Sequence, residues 1–233
     1  MISYLWKFTS KKHRSLILSF MTQPQQQLFK KLITNRTKYP KIFDEKKCIF
    51  IHIPKTAGLS ICHGLLDVNA VGHMPLKYYH NIFGDKKFNQ YYKFTFVRNP
   101  WDRVFSAFNY LKSGGVSKDD LKWKSVFNKY DDFNIFVKEW LDNDNILLSL
   151  HFMPQIYFLK NSYGVIEFDF IGKFETLEND YNYLKLKFNG KELKRINVSN
   201  QSITYKNAYN KESIEKVRKL YKQDIELLGY DFE

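Results

Sequence analysis

The chain has 233 residues, of which 44% are hydrophobic, 26% charged and 18% aromatic. That length makes one domain, or one domain with an arm, and can bury a full core. The aromatic content excludes intrinsic disorder, and two cysteines, Cys48 and Cys62, exclude a disulfide framework or a four-thiolate zinc site; they fit a reducing compartment or two buried thiols. The net charge of +13 suggests nucleic acid until its distribution is considered. Residues 1–43 hold seven Lys, two Arg and no acid, so nine of the thirteen charges lie there. The basic excess is therefore an arm, 1–43, preceding a domain over 44–233, and no nucleic-acid partner is expected. The arm reads either as a solubilising tail or as a contact to an anionic surface.

In chain order, Leu28, Phe29, Leu32 and Ile33 fall at helical spacing and predict one short helix in the arm. The apolar stretches are far shorter than the roughly 20 residues of a membrane span, and the N-terminus is too broken for a signal peptide. The chain as written reads as cytoplasmic, and as Golgi-lumenal or membrane-associated if it is a fragment of an anchored precursor. The nearly continuous apolar run from Cys48 to Ile53 predicts a strand buried on both faces. Pro54 to Gly58 is a turn and Leu59 to Leu66 a helix. Tyr92 to Val97 predicts a second strand. Asn99 is a good cap and Pro100 fits a first helical position, so a helix opens there. Trp101, Val104, Phe105 and Phe108 give it one apolar face to about Leu111.

Further helices are expected over 131–141 and 144–160, a short strand from Phe168 to Ile171, a helix from Glu175 to Leu186, and a long final helix from Lys211 to Leu228. The alternation predicts an α/β domain with a mostly parallel sheet. Ligands of such sheets bind beyond the carboxyl ends of the strands, where the loops after both predicted strands sit.

The first of these loops runs from Lys55 through Thr56, Ala57, Gly58 and Leu59 to Ser60. A strand, a tight turn and a helix start direct backbone N–H groups at a bound anion. Lys55 adds a cation, and Thr56 and Ser60 add hydroxyls. Neither G-x-x-x-x-G-K-[ST] nor G-x-G-x-x-G is present. The alternative is a plain strand–turn–helix joint with a solvated Lys. The second loop begins at Arg98, whose guanidinium can fork onto phosphate. Ser106 lies about two helical turns on, near that guanidinium only if the loop folds back. Arg103 is expected to pair with Asp102 or another acid.

Ile53-Pro-Lys-Thr-Ala-Gly58 together with Phe96-Val-Arg-Asn-Pro-Trp-Asp-Arg-Val-Phe-Ser-Ala-Phe108 resembles the two nucleotide signatures of carbohydrate sulfotransferases of the heparan 2-O / chondroitin 4-O type. Later segments are similar as well: His151 to Gln155, Phe170 to Glu178, and Leu220-Tyr221 through Asp224 to Phe232. The resemblance spans about residues 48–232. It implies a P-loop-like three-layer α/β fold, a central mostly parallel sheet flanked by helices, binding 3′-phosphoadenosine 5′-phosphosulfate (PAPS) as sulfuryl donor. By the same resemblance Lys55, Thr56, Gly58 and Ser60 hold the 5′-phosphosulfate, with Ala57 and Leu59 completing the loop, and Arg98 and Ser106 hold the 3′-phosphate. The departures are Ala57, where Gly is frequent, and the lack of a membrane anchor.

Sulfuryl transfer to a hydroxyl of a glycan acceptor needs in-line geometry, a base, and stabilisation of the departing phosphate, the last assigned to Lys55. No metal is required, and no cluster has metal-ligand spacing. Among six histidines, His13 lies in the arm, His52 reads as a hydrogen-bonded core residue, His63 as facing away from the turn, and His80 has no marked context. His73, between Gly72 and Pro75, lies in a loop between the two phosphate units, where the resembling enzymes carry a catalytic His. It is the candidate base, with His151 the runner-up and Glu175 a further carboxylate or a helix cap. Tyr78, Tyr79, Tyr91 and Tyr92 are candidate sugar-stacking residues; Asn197 to Ser199 and Tyr205 are candidates for a loop over adenosine. The rival readings are a nucleotide-dependent kinase with a degenerate loop and a non-enzymatic polyanion-binding module.

Overall fold

The computed structural model describes residues 10–21, 26, 39–194, 196 and 204–232, without the side chains of residues 11, 12, 14 and 15. Among the described residues, the helices α1 (Lys11–Ser19) and α2 (Ile42–Lys46) precede the sheet. The helix expected at 28–33 and the adenosine-loop residues Asn197 to Ser199 lie outside the described residues.

All four residues of β1 (Cys48–Ile51) are buried, as a strand covered on both faces requires. β2 (Tyr92–Val97) is central and pairs in parallel with β1 and with β3 (Phe170–Lys173). The register sets Phe94 opposite both Phe50 and Phe170, and the Phe50 and Phe94 rings stack at 4.9 Å. The result is the expected α/β architecture, a parallel sheet flanked by helices. Parallel strands bring the loops after β1 and β2 to the same end of the sheet.

The crossover from β1 begins with α3 (Gly58–Ile61), which continues as a π-helical turn over Cys62–Leu66 where a single helix was expected. It then forms α4 (Leu76–Gln90), kinked at Gly84 with φ 67°. The sequence reading has no helix there, because the kink interrupts the apolar period. Tyr78, Tyr79 and Tyr91 are buried in the core rather than open to a sugar.

After β2, α5 (Pro100–Lys112) starts as anticipated: the Asn99 side chain accepts the Trp101 N–H at 3.0 Å. α6 (Lys118–Phe127), unanticipated, opens on a capping box of Ser117 and Asp120. α7 (Phe133–Glu139) fills the predicted 131–141 segment.

The helix expected over 144–160 does not form. A 3₁₀ turn at Asn145–Leu147, an open segment and α8 (Ile156–Leu159) replace it. Distant side chains take that segment's backbone groups. Arg103 donates to the His151 and Met153 carbonyls, and Tyr221 to the Phe152 carbonyl. Asp224 accepts the Gln155 and Ile156 N–H groups.

β3 starts two residues later than expected. A 3₁₀ turn at Phe174–Thr176 leads into α9 (Leu177–Phe188), and α10 (Tyr205–Ala208) follows. The expected long final helix is two, α11 (Lys211–Leu220) and α12 (Lys222–Leu228), broken at Tyr221. Tyr221 and Asp224 both bond the 152–156 segment, so the break serves that contact. One apolar core surrounds the sheet; a second joins α5, α7, α11 and α12. Among the described residues no helix is long and apolar enough to cross a membrane.

Candidate active site

The loop after β1 is bent by two left-handed residues, Lys55 (φ 71°) and Ala57 (φ 63°). Thr56 is fully buried, and its hydroxyl donates to the Ile53 carbonyl at 2.9 Å. That hydroxyl therefore closes the turn rather than facing a ligand. At Gly58 a Cβ would lie 1.8 Å from the His52 ring, so only glycine lets the ring approach. Ser60 Oγ accepts the Ile196 N–H at 3.1 Å and keeps its own proton to donate.

The Arg98 guanidinium is clamped at the end of β2. It makes a two-point contact to Asp102 (2.7 and 2.8 Å), donates from Nη1 to the Lys55 carbonyl (3.0 Å), and stacks on Phe174 at 3.9 Å. Three of its five N–H donors are so used, which leaves two for an anion. The bond to Lys55 ties the two loops together. Arg103 does not pair with Asp102, which serves Arg98: it is fully buried, binds main-chain carbonyls, makes no ion pair within 4 Å among the described residues, and feels the Asp224 charge at longer range.

Glu175 is engaged on both oxygens, accepting the Asn99 N–H at 2.6 Å and the Tyr230 hydroxyl at 3.0 Å. Asn99 in turn donates to the Asp231 carbonyl at 2.8 Å. The later segments of the resemblance thus converge on Arg98 and Asn99.

Lys55, Arg98, Ser106 and the Ala57–Ser60 loop line one cleft of about 1050 Å³, with His52, His73 and His151 in the same wall. His73 Nδ1 lies 2.8 Å from the His52 carbonyl, and its ring is 4.1 Å from that of His52 and 6.4 Å from that of His151. A carbonyl only accepts, so Nδ1 carries the proton and the neutral ring has its lone pair on Nε2. His52, just past β1, is buried as expected, but its Nδ1 has no hydrogen-bond partner among the described residues. Burial, with His73 and His151 nearby, keeps it neutral. His80, far from featureless, bonds Asp85 at 2.6 Å.

Burial pushes His151 down to about 3, with Asp120 opposing. Burial also pushes the Lys55 ammonium down to about 8; Arg98 adds to the effect and Asp120 opposes it. Two residues here escaped the sequence reading. Tyr110 puts its ring 3.9 Å beneath Lys55 Nζ, and Asp120 accepts the Tyr110 hydroxyl at 2.9 Å while lying 3.8 Å from His151. The one local signal for Asp120 is its place in a capping box, which marks a helix start and not a site.

A model of the sulfotransferase family matches residues 40–231. The chain belongs to the sulfotransferase family. Carbohydrate sulfotransferase 14 of Danio rerio is 32% identical to it over 112 residues, 42% of this chain and 30% of that protein. An uncharacterized protein of Archaeoglobus fulgidus is 36% identical over 107 residues, 46% of this chain and 75% of that protein. The chain thus spans about a third of the Danio rerio protein it matches. No solved structure matches it.

Proposed function

We propose that this sulfotransferase moves a sulfuryl group from PAPS to a hydroxyl of a carbohydrate acceptor, with His73 as general base. The observation that carries the reading is one cleft holding two linked anion-binding corners and a histidine of fixed tautomer. Lys55 and the Ala57–Ser60 loop take the 5′-phosphosulfate, with the Ser60 hydroxyl as a donor. Arg98 and Ser106 take the 3′-phosphate.

The acceptor oxygen attacks sulfur in line with the 5′-phosphate. Its proton passes to His73 Nε2. The sulfur–oxygen bond to the phosphate breaks, and the electron pair stays on the phosphate oxygen, which Lys55 stabilises as its charge grows. His151, held neutral, lines the acceptor side, and Glu175 fixes the backbone behind Arg98.

Titration calorimetry without magnesium tests the donor. Adenosine 3′,5′-bisphosphate, the desulfated product, binds far better than AMP or ATP. Arg98→Ala costs about 1.5–3 kcal/mol, roughly tenfold to a hundredfold, for the bisphosphate and leaves AMP nearly unchanged. Equal losses for both ligands overturn the Arg98 assignment, and preference for ATP with magnesium overturns the donor.

A further inference from the structure

Asp120 is the third residue of α6, 8% exposed, and serves its helix by accepting the Ser117 N–H at 3.1 Å. That cap uses only an acceptor oxygen; a neutral amide would supply it equally. The charge goes elsewhere. The oxygen that caps the helix also accepts the Tyr110 hydroxyl at 2.9 Å, and the other lies 3.8 Å from His151 Nδ1. Tyr110 carries Lys55 Nζ on its ring face at 3.9 Å. A phenol that donates to a carboxylate becomes more electron-rich, which strengthens its hold on a cation.

We propose that Asp120 is a positioning residue of this site: its carboxylate, seated behind Tyr110 and beside His151, holds Lys55 in place as a cation against the departing phosphate. The role rests on the sulfuryl-transfer reading above. The groups facing Lys55 make the need plain. From the loop after β2, Arg98 bonds the Lys55 carbonyl and repels the ammonium. His151 repels it when charged, and His52 and His73 line the same wall without negative charge. Asp120 supplies the opposing charge that favours the Lys55 cation. Without it, burial and Arg98 act on Lys55 unopposed.

Asp120→Asn keeps an acceptor for Ser117 and Tyr110 and removes only the charge. Competitive acetylation by acetic anhydride, run on the ligand-free full chain from about pH 6 to about pH 10 and read by mass spectrometry of the Lys55 peptide, reports the ammonium directly. The wild-type midpoint falls near 8. Asp120→Asn moves it down by about half a pH unit or more. Ser117→Ala weakens the helix cap, keeps the carboxylate, and leaves the midpoint in place.

With adenosine 3′,5′-bisphosphate as probe, Asp120→Asn loses about twofold or more in affinity near pH 8 and little near pH 6, where both forms carry the cation. An unmoved midpoint, or an equal shift in Ser117→Ala, overturns the role of Asp120 alone. Failure of the bisphosphate to bind any form overturns the reading of the site, and the role with it.

Discussion

The side-chain amide of Gln155 closes both backbone groups of Arg98. Its Oε1 accepts the Arg98 N–H at 2.9 Å, and its Nε2 donates to the Arg98 carbonyl at 2.8 Å. Gln155 is itself fully buried, and Asp224 of α12 accepts its N–H at 2.6 Å. The seat of the Arg98 guanidinium is therefore set through a chain of hydrogen bonds from the last helix.

Gln155→Ala strands two backbone groups in a buried setting, at about 1–3 kcal/mol each. The melting temperature should fall by roughly 5 °C or more. Affinity for adenosine 3′,5′-bisphosphate should fall with it, while AMP binding at the first loop is spared. Calorimetric melting and titration check both; an unchanged melting temperature contradicts the network.

Lys55 should set an alkaline limit on nucleotide binding. Its ammonium, pushed down to about 8 by burial and by Arg98, is present below that pH and lost above it. Phosphate is already fully ionised there, its second pKa being about 6. Bisphosphate affinity should therefore hold below about pH 8 and fall by up to about tenfold per pH unit above it, to the level of Lys55→Ala. Lys55→Arg, whose charge persists, should flatten the profile. A flat wild-type profile to pH 10 would place the ammonium away from the ligand.

His73 and His151 separate by role. His73→Ala should keep bisphosphate affinity and lower kcat by about 10²–10⁴, the usual worth of a general base. His151, pushed down to about 3 by burial, stays neutral at every pH of an ordinary assay and produces no acid limb. Any loss in His151→Gln should therefore appear in KM for the acceptor more than in kcat. Steady-state rates with a carbohydrate acceptor decide: an active His73→Ala beside a dead His151→Ala exchanges the two assignments.

Two neighbouring substitutions in the first loop should differ sharply. Ala57 already pays the left-handed backbone penalty of about 1–2 kcal/mol, so Ala57→Gly should stay within about 1 kcal/mol of wild type and keep ligand binding. Gly58→Ala drives a methyl into the His52 ring and should cost about 2 kcal/mol or more, or abolish bisphosphate binding. Adding His52→Ala to Gly58→Ala reopens the space and should recover part of the stability. Denaturant melts of the three variants test the contact.

The sequence by itself determined what short-range chemistry encodes. The unbroken apolar run at Cys48–Ile51 and the aromatic-rich run at Tyr92–Val97 specify buried strands, Asn99-Pro100 specifies the start of α5, and the loops after both strands carry residue types suited to an anion. Periodicity and capping act over a few residues, so they are legible without the fold. The tertiary structure decided the rest. Asp120 reads locally as a cap, and only the packing of α6 beside α5 brings it to Tyr110 and His151. The segment from Ser149 to Gln155 is not helical because Arg103, Tyr221 and Asp224, 48 to 69 residues away, take its backbone groups. Glu175 reads as a further carboxylate or a helix cap until its two oxygens meet Asn99 and Tyr230. Such hydrogen bonds join positions far apart in sequence, and no local pattern records them, because each partner keeps its ordinary residue type until the chain folds.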